Sequence, residues 1–287
     1  MSVEPELNAF LPLLATAGLF ACIGSGHAAN APVAPAKPKA ASASATKRPA
    51  YALAPLEAWT EELGPAYRGH QCKSIAKKLH SFKIAKGEFE TTAAHAERIA
   101  GLSRETLVGT TLVGDTLAFV DEYGFLSTDY DADRGTLRVR GAWGFKQQRI
   151  GESFFVADLL DSTRRSSRSY AGANAYGRTV QVTSTTYSAC GLLFKNIPLK
   201  LLEANVRQLD ESLELPAEEA RRAKQNIKRV YVGKLAPPYL SDYFDFSRPS
   251  IKDPQEQDWD GDNLTIELQQ VWLINQKTGR VYKKIDI

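Results

Sequence analysis

The side chains with the strongest chemistry gather early in the chain. His70, Cys72, His80 and His95 stand close together, and Cys190 follows much later. Thiolate, imidazole and carboxylate are the groups that serve as nucleophile, general base or metal ligand. Cys190 with His80 or His95 is the thiol–imidazole pair that a nucleophilic site would have to use. The spacing His70-x-Cys72 throws its two side chains onto different faces of a helix, and no second paired motif completes a zinc set. Asp129, Asp131 and Asp133 imitate the start of an EF-hand loop, but Arg134 fills its glycine position and Arg140 the place of its bidentate glutamate. Asp258-Trp-Asp-Gly-Asp262-Asn brings three carboxylates together and reads first as an Asx-rich turn. With 33 Asp and Glu residues, carboxylate pairs of the glycosidase kind can be arranged in many ways, and spacing singles out none. P-loop, dinucleotide, Gly-x-Ser-x-Gly and His-Glu-x-x-His motifs are absent from the sequence. It therefore names no catalytic, cofactor-binding or metal-binding residue and calls for no cofactor.

What the cysteines do depends on where the chain resides. Residues 9–23 form an apolar run long enough for the core of a signal segment, and Gly26-His27-Ala28 offers small residues for cleavage before Ala29. The first residues carry Glu4 and Glu6 but no Lys or Arg, unlike the basic start usual in export signals. Leu19-Phe20-Ala21-Cys22 resembles the lipobox of bacterial lipoproteins, which implies a lipid on Cys22. Two addresses follow: periplasmic or secreted after cleavage of residues 1–28, or membrane-anchored through Cys22. Residues 29–55, rich in Ala, Pro and Lys, have little to bury and read as a disordered, semi-rigid linker. An oxidising compartment permits a Cys72–Cys190 disulfide, closing about 118 residues and contributing about 4–5 kcal/mol on a chain-entropy argument. Two buried, unbridged thiols are the alternative.

The elements that must position these residues are short. Residues 56–67 read as a weak amphipathic turn or two. Cys72, Ile75, Ala76 and Leu79 recur at helical spacing, which predicts a helix near 71–80 with Cys72 on its buried stripe. Thr91 or Thr92 caps a second helix over 92–100, with Gly101 suited to the left-handed position after it and Phe89 placed to fold back on the first turn. The stretch Lys86-Gly-Glu-Phe-Glu-Thr-Thr-Ala93 resembles a helix-start motif of uncharacterised exported or lipoprotein-like bacterial proteins, a resemblance that covers about 20 residues and implies an address rather than an activity. Strands are predicted over 116–122, 125–130, 136–140, 153–157, 179–187 and 192–194, with turns at Asp131–Gly135 and Gly172–Gly177. A third helix is predicted over 216–229, its early acids and late bases matching the helix dipole. Val230–Gly233 reads as a strand ended by Pro237-Pro238, 241–263 as one long loop, and 264–287 as a hairpin turning at Asn275–Gly279. The order implies an α+β fold with mainly antiparallel strands: a folded body over 56–287, open to division into subdomains 56–200 and 201–287.

The 287 residues are 43% hydrophobic with a formal net charge of +3, which excludes whole-chain disorder. Arg164-Arg165 with Arg168 is the longest basic feature; it is too short for a nucleic-acid stripe, and Lys77-Lys78 and Arg221-Arg222 read as solvated helix faces. Trp143, Tyr170, Tyr176, Tyr187, Trp259 and Trp272 can supply recognition surface, and Tyr170, Tyr176 and Trp259, near predicted loops, are the candidate binding residues. The expectation is an exported envelope protein that binds another protein or a cell-wall component without catalysis. It has no nucleic-acid partner and meets the membrane only through an N-terminal lipid. The alternative is an exported hydrolase with a carboxylate or Cys190 site.

Overall fold

A computed structural model describes residues 50–142, 146–150, 152–173, 175–198 and 208–287. The predicted signal segment, Cys22, most of the predicted linker and Trp143 lie outside them. Helix α1 spans Cys72–His80, and all four residues of its predicted stripe, Cys72, Ile75, Ala76 and Leu79, are buried. Helix α2 spans Thr92–Gly101; Thr91 Oγ1 accepts from the Ala94 N–H at 3.1 Å, as an N-cap should. Two local expectations fail there. Gly101 is right-handed, φ −62°, because the chain runs straight on into a 3-10 turn at Leu102–Arg104. Phe89 does not fold back; it is 96% exposed. The segment is held instead by Arg98, which pairs with Glu90 and keeps that carboxyl down at about 2. Residues 56–67 form no helix but run as a strap: Leu56 N–H donates to Thr116 and Leu63 N–H to Gly279.

Strands dominate the rest. β1 (Thr106–Val108) and β2 (Thr111–Leu112) make a small ribbon, followed by β3 (Thr116–Val120), β4 (Leu126–Asp131), β5 (Thr136–Ala142) and β6 (Lys146–Ile150). Then come β7 (Ser153–Ala173), β8 (Thr179–Phe194) and β9 (Gln208–Glu214). Helix α3 (Ala217–Ala223) precedes β10 (Ile227–Ser247), β11 (Gln255–Asn275) and β12 (Val281–Asp286). A seven-stranded sheet runs β3-β10-β11-β8-β7-β6, with β12 also on β11, and β4-β5-β9 form a separate three-stranded sheet. Among the described residues, all strand pairs are antiparallel except β8 with β11. The fold is thus α+β with mainly antiparallel strands. The large sheet takes strands from both sides of residue 200, and the described residues fall in one compact unit.

Three predictions are corrected by tertiary pairing. The third helix stops at Ala223, because Ile227 is already the first residue of β10, opposite Asn275. Pro237-Pro238 does not end its strand: β10 loses register between Leu235 and Leu240, where Pro lacks N–H groups for the ladder, and then resumes. Residues 241–263 are mostly not a loop. Ser241–Ser247 pair with Gln257–Asn263, so the Asp258–Asp262 cluster lies within a strand and not in a turn. The predicted turn at Asp131 holds: Asp131 Oδ1 accepts from the N–H groups of Asp133 and Arg134, and Gly135 takes φ +63°.

The inner halves of β3, β10 and β11 are buried on both faces. Leu117, Phe119, Tyr231 and Leu264 join α1 in one cluster, whereas Ala118, Val120, Val230, Val232 and Trp272 meet Leu56 and Leu63 in another. Burial on both faces accounts for continuous apolar runs such as Val230-Tyr231-Val232. A third cluster seals the small sheet with α3 and Leu273.

Candidate functional site

The disulfide is present: Cys72 on α1 and Cys190 on β8 are bridged, with Cα atoms 5.9 Å apart. This removes Cys190 as a nucleophile. Neither histidine stands ready to serve it, since His80 Nε2 lies 2.7 Å from Asp262 Oδ1 and His95 Nε2 2.9 Å from the Ile84 carbonyl. His70 is built into the core: its Nδ1 accepts from the Ala118 N–H at 3.0 Å and its Nε2 lies 3.0 Å from the Ala54 carbonyl, while burial lowers its pKa.

The three predicted binding residues do not converge. Tyr170 lies on β7 opposite Val182 and donates to Glu256 Oε2 at 3.1 Å. Trp259 sits on β11 opposite Tyr187 and stacks on it, ring centroids 5.3 Å apart. Glu256 and Trp259 are three positions apart on one strand, so Tyr170 and Trp259 decorate opposite faces of the sheet. Tyr176, 95% exposed, stands in the turn between β7 and β8.

Elsewhere, a groove of about 1230 Å³ lies between α3, the β11–β12 turn and the 56–64 strap. Its frame follows from local chemistry. Ala220 and Ala223 bury one side of α3 against the small sheet, which leaves Glu219 and Arg222 facing outward. Asn275 shapes the turn, its Oδ1 accepting from the N–H groups of Lys277 and Thr278, and Gly279 takes φ +88°. The Leu63 carbonyl would lie 1.8 Å from any Cβ at Gly279, so only glycine admits the strap there. Val281 N–H donates to Glu61 and Gln276 N–H to Asn226, tying strap and helix to the same turn.

Arg221, Arg222, Lys277, Arg280, Lys283 and Lys284 line the groove together with Glu61, Glu62 and Glu219. Much of this charge is committed. Arg280 pairs with Glu219, Lys283 with Glu211 and Arg221 with Glu218, while Lys284 donates to the Ala58 carbonyl at 2.8 Å. Arg222, Lys277, Glu61 and Glu62 have no ion-pair partner among the described residues. The groove therefore offers separate cationic and anionic points to a ligand that carries both charges. Sequence inspection took Arg221-Arg222 for a solvated face. The available signal was Lys277, Arg280, Lys283 and Lys284 crowded onto one hairpin, but nothing local says that α3 comes to meet it.

A second polar cluster is sealed in the core. Arg229 pairs with Asp121, both 1% exposed, and its guanidinium lies 5.3 Å over the Tyr231 ring. Tyr231 donates to Asp158, whose carboxyl is pushed up to about 7 by burial and by the nearby Asp121 charge. No described group of three or more His, Cys, Asp or Glu side chains is arranged to hold a metal ion. No family model, no curated protein and no solved structure matches the chain.

Proposed function

We propose that the protein is an exported envelope protein that binds the peptide part of a cell-wall component, without catalysis, in the groove beside α3. The observation that carries this is the placement of uncommitted Arg222 and Lys277 with uncommitted Glu61 and Glu62 around one cavity. A short peptide bearing both carboxylates and an amine satisfies all four. A polyanion such as nucleic acid would leave Glu61 and Glu62 without a cationic partner. The exported address is supported by the Cys72–Cys190 disulfide, which fits an oxidising extracytoplasmic location. No helix among the described residues is long and apolar enough to cross a membrane, and the lipid anchor on Cys22 remains part of the proposal. The hydrolase alternative loses its thiol to the bridge, and no described carboxylate pair is favoured in its place.

Soluble cell-wall fragments carrying their peptides are the probe, compared with the same fragments after amine acetylation and after peptide removal. The intact fragments should bind the full chain, and both treatments should abolish binding. Arg222→Ala with Lys277→Ala should weaken binding by about tenfold or more. Equal affinity of variant and parent would exclude the groove, and equal affinity for peptide-free fragments would exclude the ligand class.

A further inference from the structure

Beyond its pairing with β6 at Ser153–Ala157, β7 continues to Ala173 with β8 along one side only. Among the described residues, no strand pairs its other edge. Ser162 N–H donates to Tyr123 Oη at 3.0 Å, and Thr163 Oγ1 accepts from Lys73 at 2.7 Å. Register shifts between Arg164 and Ser166, and from Ser166 to Ala173 the ladder with β8 is regular. Along that stretch, half of the backbone N–H and C=O groups point away from β8. Its side chains are small apart from Arg168 and Tyr170, so an approaching backbone meets little obstruction.

Charge decides which chain this edge accepts. From Ser162 to Ala173 the strand carries Arg164, Arg165 and Arg168 and no acid. Arg165 is committed to Asp260 on β11 at 2.7 Å, whereas Arg164 and Arg168 have no ion-pair partner among the described residues. A second copy paired through the same edge would bring three more arginines and no acid, so nothing would neutralise Arg164 and Arg168. Residues 29–49 of the same chain contain Lys and Arg but no acid, so they lack the charge.

We infer that the outer edge of β7 is a strand-addition site for an extended acidic segment of another protein. The incoming backbone continues the sheet along Ser166–Ala173, and its carboxylates meet Arg164 and Arg168. Arg164 lies opposite Tyr187 and Arg168 opposite Ser184, so the two arginines project to opposite faces. A suitable segment therefore carries acids on both of its faces and no proline.

The test uses the full chain and a synthetic peptide of about ten residues, with Glu on both faces of an otherwise Thr/Val strand, beside its Lys counterpart. The Glu peptide should bind, lose affinity as salt rises, and slow amide exchange in residues 166–173. Arg164→Glu with Arg168→Glu should weaken the Glu peptide by about tenfold or more and admit the Lys peptide instead. Arg222→Ala with Lys277→Ala should leave Glu-peptide binding unchanged, which separates this edge from the groove. Absence of binding, binding without slowed exchange at 166–173, or equal affinity after charge reversal would each overturn the inference. Slowed exchange of this edge in the peptide-free protein, through dimerisation or its own N-terminal residues, would overturn it too.

Discussion

Asp158 shows what a single buried group does to the whole protein. Below an ordinary aspartate pKa of about 4, folded and unfolded chains both hold its proton. Between there and about 7 only the folded state keeps the proton, so this group's contribution to stability falls as pH rises through that window and is level above it. Asp158→Asn keeps an acceptor for the Tyr231 hydroxyl but cannot ionise. Urea midpoints followed from about pH 4 to pH 8 should therefore fall less steeply for the variant than for the parent. Parallel profiles would show that Asp158 does not titrate in this window. The acid was invisible in the sequence, where it is one carboxylate among many. Burial against Tyr231, brought in from β10, is what sets it apart. Cys72 was the opposite case: its helical stripe already marked it as buried.

Among the elements, α1 depends most visibly on a covalent tie. The Cys72–Cys190 bridge fixes the start of this nine-residue helix to β8 across a sequence separation of 118. Cys72→Ala with Cys190→Ala should cost about 2–5 kcal/mol of unfolding free energy, read from denaturation midpoints. Amide exchange should accelerate in α1 before it does in β10 and β11. An unchanged midpoint in the presence of reductant would contradict this. The helices near 71–80 and 92–100 were legible because spacing and capping act within one turn of chain. The long strands β10 and β11 were not. Their outer halves face solvent, so Asp, Ser and Pro there read as loop, and only the partner strand supplies the hydrogen bonds that keep them extended. The parallel β8–β11 pair was equally hidden, because its members lie more than sixty positions apart in the chain.

For the molecule as a whole, the proposed export is tested by N-terminal processing. Intact masses of the membrane and soluble fractions from a producing cell should separate the two routes: acylated Cys22 as the first residue in the membrane, or Ala29 as the first residue in the soluble fraction. An unprocessed chain confined to the cytosol would overturn the exported address and with it the proposed cell-wall ligand. By itself, the sequence determined the first two helices, the Asp131 turn, the closing hairpin and the two cysteines able to pair. Each of these rests on side-chain period, backbone preference or residue type, and all of those are local. Only the tertiary structure decided that Cys72 meets Cys190, that Tyr170 and Trp259 lie on opposite faces, and that three distant segments enclose one charged groove. These are outcomes of non-local strand pairing, whose hydrogen bonds look alike at every position until register and burial choose among them.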